Sequence, residues 1–242
     1  MKDVRLSVII PWRKSKELDR NVIAEWCFKR YKYLFENLGL REVEFVYSDD
    51  GGDVFSRGGS INKGVEECRG DYIIITDADY LFGQQMARNL INKQEWTVAC
   101  KQRNYYFTDH YIANYILSKP HDIDIKKIAF GKHIEVSKWQ TYGQILAMPK
   151  KNFVKFYNKF RGYGFEDDVF YYCMRAWNGK EWRTNNYMFH IYHSRPIGSA
   201  YMQKSYDNIK ILKDEWEEIK LDRKKMRQVM EEKGLLYEWN RK

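Results

Sequence analysis

Proline is scarce in this chain of 242 residues, with four in all, and histidine and cysteine are nearly as rare, with five and four. Cys27, Cys68, Cys100 and Cys173 are widely separated and show no Cys-x-x-Cys zinc spacing; free thiols in a reducing compartment are the expectation. No apolar run approaches the roughly 18 residues that suggest a membrane span. The stretch from Met1 to Trp12 has too short an apolar run for a signal peptide. The expected location is therefore cytoplasmic, at most peripheral to anionic surfaces. Internal repeats and low-complexity tracts are missing as well. No glycine follows Ile10 closely, so no Gly-rich phosphate loop opens the chain.

What is present suits a folded domain with a sizeable core: 44% of residues are hydrophobic. Aromatic residues make up 17%, including 19 Tyr and 8 Trp. Most such rings belong in a core, and the remainder are suited to stacking on sugars or bases. The net charge of +9, from 42 basic against 33 acidic residues, favours anionic partners: nucleotide phosphates, nucleic acid or acidic lipid.

Short β-branched runs alternate with helical spacing through the first half. Leu6 to Ile10, stopped by Pro11, reads as a buried parallel strand, as do Val43 to Tyr47 and Tyr72 to Thr76. Leu18 to Leu38 has helical spacing through Val22, Trp26, Leu34 and Leu38, with Gly39 as its stop. Ser60 to Glu67 and Gln84 to Asn92 read as helices, and Thr97 to Lys101 as a further strand. The pattern predicts an α/β fold: a mostly parallel sheet flanked by helices. Arg13, Asp49-Asp50 and Asp77-Ala78-Asp79 all follow strands, so they fall at the carboxyl edge, where open α/β sheets bind ligands. Lys119 to Lys138 is expected to be loop-rich and a candidate lid. A second half begins near Tyr142, and an amphipathic helix is expected from Tyr201 through Tyr206, Ile209, Leu212, Trp216 and Ile219.

Three constellations carry chemistry. Asp77 and Asp79, at i and i+2 after a strand, are expected to face one hard cation, which would neutralise a diphosphate. His190 and His193 offer two imidazoles to a divalent ion if the chain bends there, with Asp79 as a partner from the first half. Glu166-Asp167-Asp168 follows Gly162 and Gly164; adjacent acids raise at least one carboxyl pKa, which suits a general base. The same acids also complement a helix N-terminus.

Together these segments resemble the β-1,4-galactosyltransferases. Ile9-Ile10-Pro11-Trp12-Arg13 is similar to their Ile-Pro-Phe-Arg, and Phe55-Ser56-Arg57 with Asn62-Lys63-Gly64 to their Phe-x-Arg and Asn-x-Gly. Asp77-Ala78-Asp79 resembles their Asp-Val-Asp. Gly162-Tyr163-Gly164-Phe165-Glu166-Asp167-Asp168 resembles Gly-Trp-Gly-Gly-Glu-Asp-Asp, and His190-x-x-His193-Ser194-Arg195 resembles Met-x-x-His-Ser-Arg. The first half, with Asp-Asp-Gly after the second strand, is also similar to the family-2 glycosyltransferases. The resemblance spans about residues 6 to 196.

The resemblance implies a GT-A fold and a metal-dependent, inverting hexosyl or N-acetylhexosaminyl transfer from a UDP-sugar to a hydroxyl. Residues 1–200 would form the transferase domain, split into a nucleotide-sugar half at 1–102 and an acceptor and metal half at 103–200; residues 201–242 would be a helical extension. The donor would be held by Pro11, Trp12, Arg13, Asp49, Phe55, Arg57, Asn62, Asp77 and Tyr163. Asp79, His190 and His193 would bind the metal, Mn2+ by preference and Mg2+ as an alternative. Asp167 would be the catalytic base, with Glu166 and Asp168 orienting hydroxyls. Three positions depart from the pattern: His190 for Met, Ser15 for a second Arg, and Phe165 for Gly. The acceptor is a saccharide, a lipid-linked precursor or hydroxymethylated DNA, the last suggested by charge and aromatic content. Competing readings are a sugar-nucleotide pyrophosphorylase, which the glycine-poor opening disfavours, and a non-catalytic nucleic-acid-binding module, which leaves the acidic triplet and the histidines unexplained.

Overall fold

A computed structural model of the chain describes residues 5–16, 18–40, 42–91, 95–99, 105–107, 109–125, 134–136, 143–162, 164–184, 186–193 and 199–240. The first strand, β1 (Arg5–Pro11), is followed by α1 (Leu18–Glu36), β2 (Glu42–Ser48), α2 (Arg57–Glu67) and β3 (Tyr72–Thr76). Next come β4 (Tyr80–Phe82), α3 (Gln84–Leu90), β5 (Thr97–Val98), β6 (Tyr105–Phe107), α4 (His110–Leu117) and β7 (Ile134–Val136). The remainder holds β8 (Ile145–Pro149), α5 (Glu166–Asn178), β9 (Trp182–Arg183), β10 (Met188–His190), α6 (Ser199–Glu215) and α7 (Arg223–Glu232).

The main sheet has the order β2-β1-β3-β8-β5-β9. β1 pairs in parallel with β2 and β3, and β5 with β9, while β8 runs antiparallel between β3 and β5. All strands but β8 therefore point the same way, and the expected mostly parallel α/β sheet is what forms. Side chains alternate between two cores, as a pleated strand buried on both faces requires. Leu6, Val8, Ile10 and Ile74 join α1, α3 and α4 on one face. Ile9, Ile73, Ile75, Leu146 and Met148 join α2 and α5 on the other. Burying each such aliphatic side chain contributes about 1.5–3 kcal/mol relative to exposure.

A second sheet, ordered β4-β10-β6-β7, is built of three-residue strands. Its pairing of His190 with Tyr80 matters most, because it joins the end of the chain's second half to the segment just after Asp79.

Several boundaries differ from expectation. The helix α2 starts at Arg57, not Ser60, because the Ser56 side chain caps it by accepting the Gly59 amide at 3.1 Å. Gly58 is required there: a Cβ would lie 2.7 Å from the Phe156 side chain. In α1 the buried face runs through Ile23, Cys27, Tyr31 and Leu34, and Val22 is 53% exposed. The amphipathic helix expected through Ile219 ends at Glu215, and a second helix, α7, follows, capped by Asp222, whose side chain accepts from the amides of Lys224 and Lys225. Tyr206 is 62% exposed and not on the packed face, whereas Trp216, Met226, Met230 and Leu235 complete the second core. Among the described residues, no helix is long and apolar enough to cross a membrane.

Candidate active site

The ends of β1, β2 and β3 and the starts of α2 and α5 meet at the carboxyl edge of the main sheet. After Thr76 the chain turns instead of continuing as a strand, and Asp77 and Asp79 meet different partners. The group of possible cation ligands there comprises Asp79, His190 and His193 and not Asp77. Asp79 meets His190 and His193, and Asp77 meets Arg57.

The first group is compact. Asp79 Oδ2 lies 3.2 Å from His193 Nε2 and 3.6 Å from His190 Nε2. One ligand atom from each of the three residues lies within 4.8 Å of the others. The β4–β10 pairing brings them together, and the Ile191 amide fixes the bend by donating to the Asp79 carbonyl at 2.8 Å. Burial alone would raise the Asp79 carboxyl, but the two imidazoles hold it well below the usual carboxylate range.

The second group centres on Arg57, whose position in the first turn of α2 points it across the sheet end. Its Nε donates to Asp77 Oδ1 at 2.6 Å, its Nη2 donates to the Gly143 carbonyl, and its Nη1 lies 3.9 Å from Glu166 Oε1. Burial opposes the guanidinium charge, yet Asp77 and Glu166 keep it protonated, above its ordinary value. Burial pushes Asp77 up to about 6, against the pull of Arg57 and with the push of Asp79. The bonds of Arg57, a residue that the resemblance assigns to the nucleotide base, join the end of β3 to the start of α5.

The helix α5 presents the acidic triplet at its N-terminus. Phe165, where the resembled family has Gly, sits at φ 73°, left-handed backbone that a side chain rarely adopts. Gly162 and Gly164, at φ 70° and 97°, shape the approach. Burial, then the neighbouring Asp167, pushes Glu166 up to about 8. Asp168 rises to about 6 for the same two reasons, with Lys220 opposing. Asp167 Oδ1 accepts the Asp168 amide at 3.1 Å. A Cβ at Gly143 would collide with the Asp167 side chain, so this glycine permits α5 to approach the end of β3, where Asp77 N bonds Gln144 O at 3.3 Å. Nothing in the sequence pattern singled out Gly143.

Around the ends of β1 and β2, Arg13 donates to Asp49 at 2.8 and 2.6 Å and its guanidinium carbon lies 5.5 Å from the Phe55 ring centre. The Arg13 bond holds the Asp49 carboxyl below its usual range. Asp50 also pairs with Arg13, at 3.3 Å, and with Arg161, a residue the sequence did not flag. Pro11 is buried at the end of β1, and Trp12 packs edge-on against Phe28 of α1 at 6.0 Å. Asn62 is 6% exposed, and its amide bonds Phe156 N and O and Asn158. It fastens α2 to the segment after β8. Tyr163, Ser194 and Arg195 lie outside the described residues, as do 126–133 and 137–138 of the expected lid. The described start of that segment is tied to α1: Trp26 Nε1 donates to Lys119 O at 3.0 Å, and Arg30 donates to the carbonyls of His121 and Ile123 at 2.5 and 2.7 Å. A cavity of about 530 Å³ lies at the opposite, amino edge of the sheet, lined by Arg69, Asp71, Lys150 and Trp239. None of the expected site residues borders it.

The glycosyl transferase family 2 profile matches residues 55–199, more than half of the chain and the span that holds both clusters. The chain belongs to glycosyl transferase family 2. The crystal structure of GalNAc-T7 with UDP, GalNAc and Mn2+ is similar at a TM-score of 0.48 and 11% identity, covering 96% of this chain and 55% of that one. S. aureus TarS 1-349 is similar at a TM-score of 0.38 and 12% identity, covering 93% and 69%. The family-2 chain therefore spans little more than half the length of the first of these. No curated protein matches it.

Proposed function

We propose that this family-2 glycosyltransferase moves a hexose or N-acetylhexosamine from a UDP-sugar to a saccharide hydroxyl, with inversion and with a divalent cation. The observation that carries the reading is the meeting of Asp79, His190 and His193 at the sheet edge from which α5 presents Glu166 and Asp167. One carboxylate oxygen and two imidazole nitrogens suit a borderline divalent ion, Mn2+ before Mg2+. Bound there, such an ion supplies charge neutralisation for the departing diphosphate.

The chain's own residues do the rest. Arg13 and Asp49, beside Phe55, form one wall of the nucleotide pocket. Asp77, held by Arg57, faces the ribose and donor sugar. Asp167 accepts the acceptor hydroxyl's proton as that oxygen bonds to the anomeric carbon. The bond from that carbon to the diphosphate oxygen breaks, and UDP leaves with the electron pair. Glu166, proton-bearing below about pH 8, donates a hydrogen bond to a sugar hydroxyl, and Asp168 orients a second. Positioning and charge stabilisation supply most of the acceleration. The resemblance of Gly162 to Asp168 to the β-1,4-galactosyltransferase motif supports these roles.

The test is a panel of UDP-sugars with Mn2+, scored first as donor hydrolysis and then as transfer to neutral saccharides and to hydroxymethylated DNA. Hydrolysis that needs the cation, followed by transfer to a saccharide, is expected. Undiminished turnover in excess chelator contradicts the metal reading, and transfer to DNA alone contradicts the saccharide acceptor.

A further inference from the structure

One side chain of α1 grips the turn between β3 and β4 from behind. Tyr31 is fully buried, with its ring stacked on Phe82 at 5.2 Å and 19°. Its hydroxyl lies 2.8 Å from the carbonyl oxygens of both Asp77 and Tyr80, and it accepts the Tyr80 amide at 3.2 Å. A hydroxyl has one proton and two lone pairs. Here the proton is shared by two carbonyls, and one lone pair takes the amide.

Two further backbone groups of the turn have partners outside it. Asp77 N goes to Gln144 O at 3.3 Å, and Asp79 O receives Ile191 N at 2.8 Å. Asp79 is thus held by a backbone contact to Ile191, just past β10, and flanked by Asp77 and Tyr80, both bonded to the Tyr31 hydroxyl. The preceding residue, Arg30, extends the grip by donating to the Phe82 carbonyl at 3.1 Å, so α1 holds both ends of β4. The ring of Tyr31 explains the packing against Phe82; its hydroxyl serves the turn and also meets the side chains of Cys27 and Thr76.

We propose that Tyr31 is a positioning residue, its hydroxyl fixing the Asp77–Tyr80 backbone so that the Asp79 carboxylate stays in register with His190 and His193. This rests on the metal reading above. Groups that orient metal ligands without touching the ion typically change its affinity by about 10- to 100-fold when removed.

The experiment compares full-length wild type, Tyr31→Phe and Tyr72→Phe by Mn2+ titration and thermal melting. Tyr72 is the matched control: its buried hydroxyl donates to Leu90 O at 2.9 Å at the far end of β3. Tyr31→Phe is expected to bind Mn2+ about tenfold or more weakly, with turnover largely restored at saturating Mn2+. Tyr72→Phe is expected to lose thermal stability with Mn2+ affinity unchanged. Equal Mn2+ affinity in Tyr31→Phe and wild type overturns the proposal, as does equal weakening in both variants. A wild type that binds no Mn2+ overturns the metal reading itself, a separate result. Should Tyr31→Phe not fold, hydrogen exchange at the Tyr80 amide of wild type decides: slowing by Mn2+ supports the coupling, and no change overturns it.

Discussion

Asp77 and Asp79 are two residues apart at the end of one strand, yet they stand in opposite environments. Asp79 faces two imidazoles and is held well below the usual carboxylate range. Asp77 faces Arg57, and burial raises it to about 6. The Asp79 cluster gathers donor atoms, whereas the Asp77 cluster carries its own guanidinium and balances Asp77 and Glu166 internally. Each acid takes its role from what crosses the sheet edge to meet it, which is β10 for Asp79 and α2 with α5 for Asp77.

Breaking the internal balance has the largest expected effect. Arg57→Met leaves Asp77 and Glu166 buried without their cation, a loss of about 3–5 kcal/mol of stability by analogy with broken buried pairs. Denaturant melts are the measurement, and the loss should shrink at pH 5, below the Asp77 value of about 6, where Asp77 joins the already protonated Glu166 in carrying a proton. A loss that does not vary with pH breaks the comparison.

Asp167→Asn comes next: turnover should fall about 100-fold, as for loss of a general base, with donor affinity nearly intact. Steady-state kinetics with donor binding measured separately checks this, and a collapse of donor affinity instead makes Asp167 a binding residue.

Glu166→Gln probes the raised acid through stability. With its folded pKa at about 8, above its unfolded value, Glu166 binds more protons in the folded state. Its contribution is therefore present at low pH and lost as pH rises towards and through about 8. The Gln variant, always neutral, should show a flatter decline between about pH 5 and 8 in melts of the metal-free protein. Parallel curves contradict the assignment. The smallest effect is at His190, where the resembled family has Met. His190→Met should narrow metal use towards Mn2+, at the expense of Mg2+ and Co2+, because imidazole accommodates a wider set of ions than a thioether. Identical metal profiles in the two proteins mean that His190 is not a ligand.

The strand ends were legible because β-branched runs followed directly by acids are a local signal. His190 and His193 were legible as a pair, but their meeting with Asp79 depends on β4 and β10, each too short to show periodicity. Arg57 and Asn62 read as ligand contacts in the sequence because a motif names residue types, not partners. The Arg57 guanidinium goes to Asp77, and the Asn62 amide to a segment beyond β8. Tyr31 was invisible, since in a helical pattern it counts as one more core ring. The antiparallel insertion of β8 was equally hidden, because a fully buried strand reads the same in either direction.

The central claim is that Asp79, His190 and His193 form a cation site that serves the donor. Its most direct test is UDP affinity with and without Mn2+, in wild type and in Asp79→Ala. The account predicts that Mn2+ tightens UDP binding in wild type and leaves Asp79→Ala unmoved. Equal UDP affinity in both proteins, unchanged by excess chelator, would contradict it.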